Sequence, residues 1–479
     1  MAVQVIYSDI SPDAANASSF SASDMESFST LDLNNGGPEP YAITLETNRW
    51  ILDGSGEIFG GSAVYWSDTL SDSDGDYAVS PVITVDFSQY VTSDGITLFF
   101  DETAEEFAYQ VSLTWLQDGT TLASETYTVD SAIFFCEQAV TNYNQLLISI
   151  DSSGLPDRRA RLDKIMFGKV FTFSGANIRS ASVVNECNLI SAELPASALN
   201  AVMDIPAELT FQAKQSFEIS ANGYMLGTYY LTDSARQSST IYKISAQDAI
   251  GVLNEQYFDG GAYLSGISAE SLVQTIIGDA FEIVFDGVTD TTLYGLLMPM
   301  SKRDALQQVL FAWGVACRTD GGSVIRIFEP PTVPVEIGRD RTYLGVSVDQ
   351  LAAVTKVNVT AHTFAVDADG SWEVGGVKYS DTETVYTASL NVLGKENIIE
   401  SSGCTLISTH NGQAAAQRIL DYYARPTTHK SKIIWQGEHL GDCVNQPTPW
   451  ETTQDGNIES ISITISGIIA ASVESLEVS

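Results

Sequence analysis

The sequence predicts a mainly β, multi-domain protein with a small α/β insert between its β-rich parts. Three observations predict it. Short runs of β-branched and aromatic residues recur roughly every 10–20 residues, with turn residues between them. Helical periodicity is confined to a few stretches, and two of these, SAESLVQTIIGDA and SKRDALQQVLFAWGV, follow one another closely. The 479 residues also exceed what one core of ~100–200 residues holds.

Residues 1–50 are rich in Ser, Asp and Asn, contain Asn35-Gly36-Gly37-Pro38, and read as an extended arm with one strand near Tyr41–Thr47. Residues 51–168 form a first β module. Its strands are Val82–Phe87, Gly95–Phe100, Tyr109–Trp115, Leu146–Ile150 and Leu162–Phe167. Such strands without helical patterns imply a sandwich or barrel. Asp118-Gly119 is a hairpin turn, because both residues accept positive φ. The module closes on LPDRRARLDKIMFG, where four bases interrupt a base-poor region.

Residues 169–258 make a second β unit, in which Phe217, Ile219, Tyr229 and Leu231 alternate like half-buried strands. Gly223 and Gly227 stand in a strand context and serve turn and packing. Asp248–Ala249 is a strand-to-helix corner leading into the α/β insert, residues 259–330. There Ser268 precedes the apolar face Leu272, Val273, Ile276 and Ile277. Ser301 with Asp304 starts a helix whose face is Leu306, Val309, Leu310 and Trp313. A hairpin, ACRTDGGSVIRIFEPP, ends the insert. Residues 331–479 form a third β region with one helix, Gly412–Ala424, stopped by Arg425-Pro426. Its last strand alternates Ile461, Ile463 and Ile465 against Ser460, Ser462 and Thr464, as an edge or barrel strand does.

Charge excludes one class of partner. Acids outnumber bases 61 to 23, and the first 150 residues hold 23 acids, one base (Arg49) and no lysine. Such a surface repels phosphate, so no specific nucleic-acid binding is expected. No apolar run reaches ~18 residues, so no transmembrane segment is expected. The N-terminus lacks the pattern of a signal peptide. Cys136, Cys187, Cys317, Cys404 and Cys443 are widely spaced and odd in number, which fits idle thiols rather than disulfides or zinc.

Catalytic signatures are missing: there is no H-E-x-x-H, G-x-S-x-G, phosphate-binding loop or dinucleotide fingerprint. Histidines 362, 410, 429 and 439 stand apart. His429 and His439 near Cys443 lack the ligand number of a zinc site. No cofactor and no enzymatic activity are expected. Asp72, Asp74 and Asp76 in SDTLSDSDGDY are calcium candidates, although the glycine falls inside the acidic triplet and position twelve is Ile83. Trp66 and Tyr77 flank this loop and are candidates for stacking on a sugar, whereas Trp115 alternates with Val111 and Leu113 and belongs in the core.

Two resemblances follow from these segments. ITVDF, GITLFF, the WLQDGTTL hairpin and RLDKIMFG are similar to a galactose-binding-like jelly roll. From Val170 onward, the order of sheet, Asp248–Ala249 corner, two helices, terminal hairpin and a further β region resembles the tail-tip baseplate hub proteins of tailed bacteriophages. That resemblance implies two tube-like β-barrels, residues 169–258 and 331–479, with the short helical domain between them. It further implies a homotrimer forming a hub ring in the virion, assembled in the host cytoplasm. Its partners would be a distal tail or tube protein, the tape measure, and tip or fibre proteins, and DNA or the tape measure would pass through an acid-lined opening. The alternative is a carbohydrate-binding tail adhesin that recognises a host surface glycan through the N-terminal module.

Overall fold

The computed structural model describes residues 3–34, 36–37, 46, 64–100, 107–205, 209, 211, 214–221, 224–320, 324–350, 352–390, 396–425, 427–450, 452–465 and 469–477. The predicted strand near Tyr41–Thr47 therefore lies outside the described residues, save Glu46. So do Asn35, Pro38, Gly223, Pro426 and the tip of the 316–328 hairpin. Two compact units emerge, Tyr7–Phe171 and Met1–Ile6 together with Thr172–Ser479.

The Tyr7–Phe171 unit is built on a six-stranded sheet. Its order is Ser18–Ala22, Val82–Phe99, Ile133–Ser152, Gln110–Gln117, Thr120–Thr128, with Lys164–Met166 beside Val82–Phe99. A second sheet pairs Tyr65–Leu70 with Arg159–Leu162. Alternation drives Val111, Leu113, Trp115, Ile148 and Ile150 inward to one core, and each fully buried side chain of this size stabilises the fold by ~1.5–3 kcal/mol. Asp118 and Gly119 take φ 49° and 78°, the doubly left-handed geometry of a two-residue hairpin. Two predicted strands are one: Val82–Phe99 runs unbroken along Ile133–Ser152, absorbing Ser93-Asp94-Gly95 as register shifts instead of turning. The expected arm is also structured. Pro12–Ala17 forms α1, and Ser18–Ala22 pairs with Val82–Phe99.

The other unit is β-rich, as expected, and its strands fall into two groups. The two groups join in one large sheet. A first group holds Ser216–Ala221, Tyr224–Arg236, Ile241–Gln247, Ala198–Asp204 and Ile178–Glu186. A second holds Thr453–Ile465, Ile469–Glu477, Thr427–Ile433, Ser347–Gln350, Cys443–Pro447 and Val335–Glu336. They meet where Ala181–Glu186 pairs antiparallel with Ser460–Ile465. The 460–465 strand is thus interior, not an edge: Ile461, Ile463 and Ile465 are buried, and both flanks are paired. Residues 356–401 leave the large sheet for their own, ordered Trp372–Val374, Val377–Ser389, Lys356–Val366, Ile398–Ser401.

Between the two groups in sequence lies the α/β insert. Asp248 caps α2 (Ala249–Leu253), Ser268 caps α3 (Ala269–Ile277) and Ser301 caps α4 (Lys302–Trp313), each side-chain oxygen accepting from a backbone N–H three residues on. α3 packs on α4 through Leu272, Val273, Ile276, Leu306, Val309 and Leu310, all fully buried. Glu282–Asp286 runs parallel to Val324–Phe328, which pairs antiparallel with Ala316–Asp320. α5 (Gly412–Tyr423) lies against the Lys356–Val366 and Val377–Ser389 strands.

Candidate functional site

The sequence-predicted sugar and ion candidates share the Tyr7–Phe171 unit. Trp66 and Arg161 are directly opposed across the Tyr65–Leu70/Arg159–Leu162 ladder. The Arg161 guanidinium lies 3.8 Å above the indole, and Phe28 meets the same ring edge-on at 5.5 Å. Arg161 also pairs with the Glu46 carboxylate, which is fully buried. Arg159 donates to the carbonyls of Ser67 and Asp68 at 2.6 and 2.7 Å and pairs with Glu26 at 2.7 Å. The basic cluster that interrupts this acidic module is therefore spent largely on internal carboxylates and carbonyls. Trp66 is only 2% exposed and Tyr77 only 7%. Burial pushes the Tyr77 phenol well above its usual range. Cross-strand pairing and the Arg161 cation cover the Trp66 ring, which corrects the stacking expectation for that residue, while Tyr77 lines a small pocket with Phe107, Ala108, Ile150 and Leu155.

The acidic loop is closed by its own hydrogen bonds. One Asp72 carboxylate oxygen accepts from the N–H groups of Asp74 at 2.9 Å and Asp76 at 3.1 Å. Gly75, at φ 89°, makes the bend. Asp72 is thus turned inward as a turn former, and among the described residues these three carboxylates do not converge as a metal-ligating group. The group that does converge is His362, Asp381 and Glu383. Sequence reasoning missed it, although the alternation of TAHTF and DTETVY on paired strands carried the signal. His429 is buried, with Nε2 3.0 Å from the Pro447 carbonyl oxygen, and desolvation lowers its pKa.

In the larger unit the insert is held by polar contacts from the segment before Ala198–Asp204 and from the α5 region. On the side of the first group, Asp248 accepts from Gly251 N–H at 3.1 Å and from the Thr319 hydroxyl at 2.9 Å. Its burial raises the carboxyl pKa. The segment before Ala198–Asp204 adds three bonds: Arg303 to the Leu194 carbonyl, Gln307 to that of Ser191, and the Ser191 hydroxyl to that of Val315, each at 2.7 Å. From the α5 region, Arg418 donates to the Phe311 carbonyl, and Asn411 donates to that of Ala312 at 3.3 Å. The otherwise free carbonyls at the end of α4 are thereby satisfied by α5 and by the segment leading into it. These buried hydrogen bonds fix the insert against the segment before Ala198–Asp204 and against α5, and allow little slippage.

No family model matches the chain, and no curated protein matches it. Among solved structures it is similar to the 43 kDa tail protein of prophage MuSo2 from Shewanella oneidensis, at 9% identity and TM-score 0.44, over 64% of this chain and 96% of that one. It is also similar to a tail protein from Neisseria meningitidis MC58, at 10% identity and TM-score 0.47, over 64% and 93%. Prophage tail protein gp18 from Listeria monocytogenes EGD-e is similar at 11% identity and TM-score 0.43, over 64% and 91%. Likenesses this loose carry no functional argument.

Proposed function

We propose that this chain is a structural component of a phage tail tip, forming the baseplate hub ring of the virion. The observation that supports it most is the seam at Ala181–Glu186 and Ser460–Ile465, which fuses two strand groups into one sheet around a stitched helical insert. A continuous hydrogen-bonded sheet transmits force without a hinge, as an adaptor between tube and tip must. In this reading three copies surround an opening. The excess of acids over bases, 61 to 23, keeps a passing polyanion from sticking. The surfaces that meet the tube protein, tape measure and tip or fibre proteins are spread over the ring, so no short list of residues carries the function.

The test is a reconstruction of the assembled particle by electron cryomicroscopy with this chain located in it. Three copies around the tail axis, with the larger unit facing the bore, is the expected result. A position on a peripheral fibre overturns the proposal. Such a position would instead favour the alternative, a carbohydrate-binding tail adhesin acting through the N-terminal module.

A further inference from the structure

We propose that His362, Asp381 and Glu383 form a binding site for a divalent transition metal of the zinc or manganese class. His362 and Glu383 are directly opposed on the paired strands Lys356–Val366 and Val377–Ser389, and Asp381 sits opposite Phe364, two residues along. The period of two in both strands puts all three side chains on one face of the sheet. One ligand atom from each lies within 4.8 Å of the other two, a spread that small side-chain rotations close around an ion with ~2.0–2.2 Å bonds.

The hydrogen-bond pattern at His362 favours this reading. Its Nε2 is 3.2 Å from the Ser402 carbonyl oxygen, which can only accept, so Nε2 carries a proton. The other ring nitrogen, Nδ1, is 2.7 Å from Asp381 Oδ2. Two lone pairs cannot face each other at that distance without a proton or a cation between them. A histidine whose outer N–H is held by a carbonyl while its other nitrogen meets carboxylates has the second-shell pattern of a metal ligand. The ring is held in plane by Phe364, stacked at 5.7 Å and 12°, and by the edge of Trp372 at 6.4 Å. Asp381 is oriented by the Thr363 N–H at 3.2 Å. The His362 and Asp381 side chains are 4% and 8% exposed, while Glu383 reaches solvent, leaving an open side where water completes the shell. One imidazole and two carboxylates suit zinc or manganese; calcium prefers an all-oxygen set. A bound ion would cross-link the two strands.

The experiment is calorimetric titration of zinc chloride, and separately manganese chloride, into the chelator-treated full chain with excess magnesium occupying loose surface carboxylates. One saturable equivalent and a rise in melting temperature are expected. His362→Gln should weaken binding at least tenfold, since loss of an outer-shell partner alone costs ~10–100-fold. Glu383→Gln, on an exposed side chain, should weaken binding while leaving the melting temperature of the metal-free protein unchanged. This variant decides the matter should His362→Gln fail to fold. Absence of a saturable equivalent for both metals, or affinity unchanged in Glu383→Gln, overturns the proposal and leaves a proton between His362 and Asp381.

Discussion

Replacing Ile463 with alanine should loosen both strand groups of the large sheet at once. Ile463 is buried and pairs with Val183 on one side and Ala471 on the other, so it occupies the seam itself. Ile→Ala in a packed core costs about 2–5 kcal/mol, the spread reflecting how far neighbours collapse into the cavity. Neighbours in a sheet paired on both sides have little freedom to do so, which places Ile463 in the upper half of that range. Amide exchange that requires opening of the sheet should then accelerate roughly 400- to 5,000-fold.

Hydrogen exchange read by mass spectrometry resolves where this happens. Tyr224–Arg236 reports the first group and Thr427–Ile433 the second, and neither contains the substitution. If the seam makes one cooperative sheet, both peptides accelerate by the same factor. Acceleration of Thr427–Ile433 with Tyr224–Arg236 unchanged would show two independently stable barrels, and would refute the reasoning from a shared sheet.

Three further outcomes follow from local geometry. Gly295 has φ 146°, and a Cβ there would meet the Thr405 carbonyl oxygen at 2.1 Å, so Gly295→Ala should destabilise by about 1–3 kcal/mol in urea unfolding. All five cysteines are buried, and burial pushes the Cys136 thiol up to about 12 and Cys404 to about 11. A thiol reagent should therefore label none in the native protein and all five in denaturant. Burial also raises the Glu459 carboxyl pKa, although the Tyr422 hydroxyl donates to it at 2.6 Å. The folded chain then keeps a proton that the unfolded chain has lost, so this group's stabilising contribution is full below the unfolded pKa and falls as pH rises through the folded one. Glu459→Gln retains the acceptor for Tyr422, and its urea midpoint should decline less than the native one as pH rises above the unfolded carboxyl pKa of about 4.3.

What the sequence made legible was local. Ser268, Ser301 and Asp248 announce their helices because a cap is decided within three residues. The alternation of Phe217, Ile219, Tyr229 and Leu231 shows because each strand must bury one face. Strand partners are not local. Ala181 pairs with Ile465, and Ala198–Asp204 with Ile241–Gln247, choices set by packing across the chain that no window of residues contains. Val3, Val5 and Tyr7 do alternate inward, but the Ser- and Asp-rich residues after them masked the strand.

Trp66 shows how a charge pattern can be misread. An aromatic beside an acidic loop looks like a platform for a polar ligand when sequence neighbours are the guide. The more telling feature was Arg158, Arg159 and Arg161 standing in a module with almost no other bases. Cations so scarce are unlike a solvated surface, where acids and bases mix; they are where an acid-rich chain needs them, against carboxylates it has buried. Arg161 over Trp66 and against Glu46 is that case. Removing one partner of a buried pair leaves the other charge uncompensated at about 3–5 kcal/mol. The same cluster that closes the module in sequence thus holds its second sheet together, and the aromatic beside it belongs to the structure rather than to a ligand.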